Sequence, residues 1–194
     1  MFKVDKTPEP EFFADFKRRH GDSIKNWDDM NNYPDIKKEL RLHMLLEEQD
    51  CRCPYCETSV DDESDGSIEH IKPKDLFKNL FLEYNNLITS CKSSYSCDNF
   101  KGKKWDDKFI NPTKENPEEY FSYDLITGEI IPKEKSGIKY EKANKTIEIL
   151  NLNHDKLKRI RVVFLKALLT APQEDLIYYN KYPSLLKYYK EIKF

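Results

Sequence analysis

Cysteine residues form the pattern in this sequence with the clearest chemical meaning. Cys53 and Cys56 are separated by two residues, and after 34 further residues Cys91 and Cys97 form a second pair, which encloses five residues. Four thiolates in two pairs suit a closed tetrahedral Zn²⁺ site, although the second gap is wider than usual. Buried free cysteines are the alternative interpretation. A thioredoxin-like redox motif is disfavoured, because no βαβ pattern surrounds the first pair.

The fifth cysteine and the first residues of the chain bear on the cellular compartment. An odd number of clustered cysteines argues against a disulfide framework and for a reducing compartment. Cys51 is the spare cysteine; we predict that it is a bystander, with replacement of Cys53 as a ligand as the alternative. Residues 1–11 contain Asp5 and Glu9 and no apolar segment, and apolar runs elsewhere are short. We therefore expect no secretory signal, no membrane contact and a cytoplasmic protein.

A carboxylate and an imidazole stand side by side between the two cysteine pairs. Glu69 and His70 belong to the segment 67–74, which predicts a short strand ending at Pro73, where a helix can begin. Neighbouring residues on a strand point to opposite faces. Glu69 and His70 would therefore share one site only if the chain bends there or a metal ion draws them together.

Two further segments carry polar residues close to the second cysteine pair. Asn86 lies in the segment 84–91, which leads into Cys91, and Asp98 directly follows Cys97 at the start of a predicted short helix over 97–104. Zinc bound by the cysteines would join these segments and the one with His70 into a single small unit.

These motifs together resemble the HNH endonucleases of the ββα-metal type, in their zinc-bound form. The resemblance covers roughly residues 45–105, and its pattern is Cys53-x-x-Cys56, Glu69-His70-Ile71-x-Pro73, Asn86-Leu87-x-x-x-Cys91 and Cys97-Asp98-x-x-Lys101. Within that family, the residues 45–49, 53–57 and 68–74 are most similar to the HNH subunits of Septu-type anti-phage defence. Those subunits work with an ATPase partner and also occur in some retrons.

The resemblance implies a role for each matching residue. His70 matches the general base that activates water, and Asn86 matches the residue that holds the loop bearing that base. Glu69 and Asp98 match ligands of a catalytic Mg²⁺ or Mn²⁺ ion, although the family more often has Asp at the first position and His or Asn at the second. The expected zinc ligands are Cys53, Cys56, Cys91 and Cys97, and the expected nucleic-acid contacts are Lys72, Lys74 and Lys101.

The function implied is that of a metal-dependent endonuclease that cleaves nucleic acid, with DNA favoured. It would be an effector of a bacterial anti-phage defence system and act with an ATPase. Three alternatives stay open: a tRNA nuclease of such a system, a zinc-stabilised nucleic-acid-binding module without catalysis, and a scaffold that binds a protein partner. Whole-chain charge does not decide between them, since the net charge is only −2. Basic residues are nevertheless concentrated in residues 70–108 and 133–166.

The flanking segments must hold this unit in place, and their patterns predict an α+β fold in a single domain over 1–194. We expect helices in 8–49, the zinc-stapled HNH core at about 50–105, and a hairpin with helices in 118–194. One predicted helix spans 34–49 and carries His43, and another spans 155–171 and presents basic residues to a phosphate backbone or a partner. The tail around Tyr178, Tyr179 and Tyr188 either packs on the core or docks an ATPase.

Overall fold

The computed structural model describes residues 1–172, 175 and 181–193, and its fold is α+β. Two small antiparallel hairpins lie among helices in this part of the chain. The strands are β1 (Gly66–His70), β2 (Leu87–Cys91), β3 (Phe121–Tyr123) and β4 (Ile130–Pro132). The helices are α1 (Glu11–His20), α2 (Pro34–His43), α3 (Cys97–Lys101), α4 (Gly137–Leu150), α5 (Asp155–Thr170) and α6 (Pro183–Lys193).

The first hairpin and α3 form the ββα unit that the motifs predict. β1 pairs with β2 so that His70 lies opposite Leu87 and Glu69 lies opposite Ile88. α3 begins at Cys97, which has a φ of 59°, an unusual left-handed backbone that turns the chain sharply after β2. The unit therefore places a strand end and a helix start, with their polar residues, side by side.

The N-terminal helices pack on one face of this unit. Their apolar side chains form a cluster with residues of the first hairpin and the turn before it, namely Phe13, Phe16, Ile24, Trp27, Met30, Leu40, Met44, Tyr84 and Leu87. α2 continues as a π-helical segment over Met44–Glu48, so the predicted helix of 34–49 is confirmed. The side chain of Gln49 then pairs with the backbone of Thr89, donating to its carbonyl (2.7 Å) and accepting from its amide (2.8 Å).

The C-terminal elements form a larger core on the side of the unit where the four cysteines lie. The hairpin predicted in 118–194 is confirmed: β3 pairs with β4, and Thr127-Gly128 lies in the turn between them. Gly128 has a φ of 72°, and a Cβ there would lie 2.4 Å from the carbonyl oxygen of Lys158, so the turn needs glycine to pack on α5. α6 is tied to the first cysteine pair, because Glu57 accepts a hydrogen bond from the Ser184 amide at 2.9 Å.

Two expectations are modified by the structure, and a third falls on residues outside its description. Residues 73–77 form a single turn rather than the start of a helix, because the amides of Leu76 and Phe77 both bond to the Pro73 carbonyl and the chain then turns back. Arg161 on α5 is buried and donates to the Gly128 carbonyl (3.1 Å), so it is unavailable to a phosphate. Tyr178 and Tyr179 lie outside the described residues.

A helix that crosses a membrane must be both long and strongly apolar. Across residues 1–172, 175 and 181–193, no helix reaches the length and hydrophobicity that a bilayer span requires.

Candidate active site

The four predicted zinc ligands converge at one point. The sulfur atoms of Cys53, Cys56, Cys91 and Cys97 all lie within 4.8 Å of one another. The Cys56 and Cys91 sulfurs are 3.6 Å apart, close to the ~3.8 Å that a tetrahedron with Zn–S bonds of about 2.3 Å requires. Thiolate donors in a closed tetrahedron suit zinc, so the residues fit the ion. Cys51 is not a member of this group.

Backbone hydrogen bonds shape the loop that presents the first pair. The Cys53 amide donates to the Thr58 carbonyl (3.0 Å), and the Glu57 amide donates to the Cys53 carbonyl (2.8 Å). Glu57 takes a left-handed conformation, with a φ of 66°, which closes the loop. This tight turn aims both sulfurs at the same point and buries the Tyr55 side chain completely.

A cavity of about 360 Å³ lies next to the cysteine cluster, at the end of β1. Glu69 and His70 both line it, although they are neighbours in sequence. His70 is the last residue of β1, and the chain bends immediately after it, so strand alternation does not separate the two side chains. The lining residues are Trp27, Ile68, Glu69, His70, Pro73, Lys74, Asp75, Asp98, Gly102 and Lys103.

His70 is held by a hydrogen bond and a ring contact. Its Nε2 lies 3.1 Å from the Phe81 carbonyl oxygen, which can only accept, so Nε2 carries the proton and Nδ1 is left as a free acceptor. The Trp27 ring meets the imidazole edge-on, with centroids 4.5 Å apart. Burial, together with the nearby charge of Lys74, lowers the pKa of His70 to about 4. The imidazole is therefore neutral at pH 7 and able to accept a proton.

The side chain of Glu69 is buried and contacts Tyr55 and Lys101. Its Oε1 accepts a hydrogen bond from the Tyr55 hydroxyl (3.1 Å) and lies 2.7 Å from the Lys101 ammonium. The same ammonium donates to the His70 carbonyl at 2.9 Å, so it links both residues. Burial raises the pKa of Glu69 well above its usual value, and the adjacent carboxyl group of Asp98 raises it further, while Lys101 opposes the shift.

Asp98 completes a pair of carboxyl groups. It lies in the first turn of α3, its Oδ2 accepts a hydrogen bond from the Ser67 hydroxyl (2.6 Å), and it is close enough to Glu69 to raise the pKa of that carboxyl group. Two carboxyl groups that face each other in a polar cavity offer hard oxygen donors. This donor set fits a Mg²⁺ or Mn²⁺ ion, which prefers carboxylate oxygen over sulfur.

Asn86 connects the start of β2 to the loop that follows His70. Its Oδ1 accepts from the Lys72 amide (2.8 Å), and its Nδ2 donates to the carbonyls of Lys72 (3.0 Å) and Leu80 (3.3 Å). Its own carbonyl accepts from the Ile71 amide at 2.9 Å. These contacts are the ones that the expected loop-holding role requires.

The three predicted nucleic-acid contacts lie in different environments. Lys72 and Lys74 are half-buried near the rim, where Lys74 lines the cavity and lies 3.3 Å from Asp28. Lys101 differs from expectation, because its side chain is fully buried against Glu69 and cannot reach a phosphate at the surface. Lys103, which the motif analysis did not single out, lines the cavity and is exposed.

Three residues outside the predicted set also contact the site. Trp27 packs on His70, Tyr55 donates to Glu69, and Ser67 donates to Asp98. Tyr55 has a sequence signal, since it stands between two zinc ligands, and Ser67 is two residues before Glu69 on the same strand face. No pattern in the sequence around Trp27 marks it as a residue of the site, because it reaches the site from the N-terminal helices.

The part of the sequence that forms this site is similar to a known protein family. Residues 53–103 match the sequence model of the HNH endonuclease family, and these residues include all four cysteines and the whole cavity carboxyl pair. This match confirms the resemblance to HNH endonucleases that the motifs indicate in this part of the chain. We refer to residues 53–103 as the HNH domain because of this similarity.

Two curated relatives extend the similarity beyond the HNH domain. The HNH endonuclease assigned to retron Ec83 of Escherichia coli is 27% identical over 203 aligned positions, which cover 83% of this chain and 78% of that protein. The Septu protein PtuB of Bacillus thuringiensis is 34% identical over 115 positions, covering 56% of this chain and 39% of that protein. In both alignments the similarity covers more residues than the 53–103 match to the HNH family model.

If Glu69 and Asp98 bind a divalent ion and the four cysteines bind zinc, we expect Tyr55→Phe to weaken binding of the divalent ion and to leave the zinc content unchanged. The substitution deletes the hydroxyl that donates to Glu69 and leaves the buried ring in place. Hydrogen bonds to charged groups contribute about 1.5–3 kcal/mol, so we expect a loss of roughly ten- to a hundredfold in kcat/KM. The Mg²⁺ or Mn²⁺ concentration that gives half-maximal cleavage should rise.

The matched control is Tyr95→Phe, which removes a tyrosine hydroxyl outside the cavity. Cleavage rates at a series of Mn²⁺ concentrations, with zinc content measured on the same samples, separate the two effects. An unchanged half-maximal metal concentration in Tyr55→Phe would show that this tyrosine does not position Glu69.

Proposed function

We propose that this chain is the nuclease effector of a bacterial anti-phage defence system, cleaving DNA in preference to RNA in the cytoplasm and acting with an ATPase. The observation that carries the proposal is the meeting of His70, Glu69 and Asp98 in one cavity beside the four-cysteine cluster. The two relatives named after a retron and after Septu support the defence setting.

His70 performs the proton transfer in the proposed reaction. Its Nδ1 accepts a proton from a water molecule as that water attacks the phosphorus, a contribution of about 10²–10⁴-fold to the rate. The bond from Nε2 to the Phe81 carbonyl and the Trp27 ring hold the imidazole in one orientation, and Asn86 holds the loop that begins at His70. Such fixed placement removes much of the entropic cost of the reaction.

Glu69 and Asp98 would hold a catalytic Mg²⁺ or Mn²⁺ ion. When bound, that ion supplies positive charge for the phosphoryl group and the leaving oxygen. Lys101 and Tyr55 keep the Glu69 carboxylate in position, and Ser67 does the same for Asp98. Zinc at the four cysteines would have a structural role only, since four thiolates leave it no open position.

The rim of the cavity is suited to a polyanion. Lys74 and Lys103 line it, and Lys72 lies on the loop that Asn86 holds. Lysine ammonium groups attract phosphates without reading the base sequence, so they would bring the backbone to the cavity. Asp75 also lines the rim, and its charge partly offsets theirs.

Cleavage assays with two substrates test the proposal. Plasmid DNA and total tRNA are each incubated with the chain and Mg²⁺ or Mn²⁺, with and without a candidate ATPase partner. We expect DNA cleavage that the ATPase stimulates or controls, and loss of cleavage in Asp98→Ala, which removes the oxygen donors. Asp61→Ala, at an exposed carboxylate outside the cavity, serves as the control. Preferential cutting of tRNA would contradict the DNA assignment, and cleavage that ignores the ATPase would contradict the partner.

A further inference from the structure

Two turns of the chain border the catalytic cavity, and an aromatic ring stands at the end of each. In the first turn Pro73 and Lys74 line the cavity, and the Phe77 amide bonds back to the Pro73 carbonyl at 2.9 Å. In the second turn Gly102 and Lys103 line the cavity, and Trp105 follows two residues later. Both rings are therefore fixed within a few residues of the cavity wall.

The two rings meet and share a cation. Phe77 and Trp105 contact each other edge to face, with centroids 5.4 Å apart and planes at 78°. The ammonium of Lys72 lies over both, 5.0 Å from the Phe77 centroid and 5.8 Å from the Trp105 centroid. Lys72 is two residues after His70, so the aromatic pair stands close to the general base along the loop that Asn86 holds.

A second contact between a lysine and an aromatic ring lies in a groove that Trp105 also lines. Trp105 also lines a groove with Phe100 and Lys104, and the Lys104 ammonium lies 3.5 Å from the Phe100 ring centroid. We call Lys72, Phe77, Phe100, Lys104 and Trp105 the aromatic–lysine face. All three rings are half-buried: Trp105 packs on Phe109 of the core, and part of each ring remains at the surface.

Alternating aromatic and lysine side chains suit a particular kind of ligand. Rings stack on the flat faces of nucleobases, and ammonium groups bind the phosphates between them. Bases in a duplex are stacked on each other and are not available to a protein ring, so such a face favours unpaired nucleotides. Acidic residues are also present nearby, since Asp106 and Glu148 line the groove, and they discourage purely electrostatic binding of any polyanion.

We propose that the aromatic–lysine face stacks unpaired bases of the substrate beside the bond to be cut. The substrate class is then single-stranded nucleic acid, or a strand with unpaired nucleotides at the cleavage point. This inference rests on the proposed function in one respect, that the ligand is nucleic acid, but it does not depend on catalysis.

The intrinsic fluorescence of Trp105 provides a direct test. The sequence contains two tryptophans, so Trp27→Phe leaves Trp105 as the single fluorophore. This protein is titrated without added divalent ions with a twelve-residue oligothymidylate, an unstructured RNA of the same length and a matched DNA duplex. We expect both single strands to quench the fluorescence strongly and the duplex to do so weakly. The ratio of the DNA and RNA affinities shows which sugar the face prefers.

Substitution measures how much the stacking contributes. Base stacking on an aromatic side chain is worth about 1–3 kcal/mol, so Trp105→Leu should weaken single-strand binding roughly 5- to 150-fold by fluorescence anisotropy of labelled oligonucleotides. Duplex binding should hardly change. Tyr140→Leu, at a partly exposed tyrosine on α4 that does not line this groove, is the matched control. Phe77→Leu provides the same measurement if Trp105→Leu does not fold.

The outcomes separate this inference from the proposed nuclease function. Absence of quenching, or equal losses on single strands and duplex, overturns the aromatic–lysine face even if plasmid DNA is cleaved. Single-strand preference that depends on Trp105 supports the face even if no cleavage occurs, in which case only the catalytic proposal fails.

Discussion

A His70→Ala protein is expected to lose nuclease activity while it keeps its fold and its zinc. His70 offers an unprotonated Nδ1 because its Nε2 donates to the Phe81 carbonyl, and burial lowers its pKa to about 4, so the neutral form prevails at pH 7. General-base catalysis contributes about 10²–10⁴-fold, and we expect a loss of that size in the cleavage rate. The measurement is single-turnover cleavage of plasmid DNA at saturating Mn²⁺.

His43→Ala is the matched control for this experiment. His43 is a half-buried histidine on α2 whose Nε2 contacts the Thr7 hydroxyl at 3.1 Å, outside the cavity. It should retain cleavage near the wild-type level. Circular dichroism and zinc content must match between the two variants and wild type. If His70→Ala cleaves within threefold of wild type, the role assigned to this imidazole is wrong.

Substitution of Cys97 by serine is expected to prevent the HNH domain from folding. Its sulfur is fully buried in the four-cysteine cluster. Structural zinc in small domains binds with an apparent free energy of about 10–16 kcal/mol, whereas whole domains are stable by only about 5–15 kcal/mol. Loss of the ion therefore removes a stabilisation comparable to the whole free energy of unfolding.

Elemental analysis and thermal unfolding together measure this effect. Wild type should contain one zinc ion per chain and unfold cooperatively, whereas Cys97→Ser should contain much less zinc, lose the cooperative transition and lose cleavage. Cys51→Ser is the control, since Cys51 lies outside the cluster. A zinc-free wild type that unfolds cooperatively would refute the assignment, and zinc loss in Cys51→Ser would mean that the ligand set is wrong.

The sequence singled out the four cysteines, Glu69, His70 and Asp98, which the structure brings close together, because these residues belong to one short, continuous unit. Cysteine pairs, the Glu69-His70 dipeptide and the residue after Cys97 are all local signals. Strand alternation, by contrast, suggested separate faces for Glu69 and His70. That rule holds for regular strands, and His70 stands at a strand end where the chain bends.

Contacts between residues that are far apart in the sequence could not be predicted from the spacing of the motifs. Trp27 reaches His70 from a segment more than forty positions earlier in the sequence, and its position depends on how α1 and α2 pack against the hairpin. Lys101 was expected at a phosphate because it follows the second cysteine pair. Its burial depends on Glu69 being within reach of α3, which only the folded unit decides.

The ion pair between Lys101 and Glu69 has a consequence for the order of assembly. Two ionised carboxyl groups that lie close together inside a protein repel each other. Without a positive charge from the protein itself, they would need a bound metal ion before they could adopt this arrangement. Lys101 is a counter-ion supplied by the chain itself, 2.7 Å from Glu69. If the proposed function is correct, the folded state would require zinc but no second metal ion, and Mg²⁺ or Mn²⁺ would be needed only for cleavage. The protein could then accumulate in its folded form before any substrate is present.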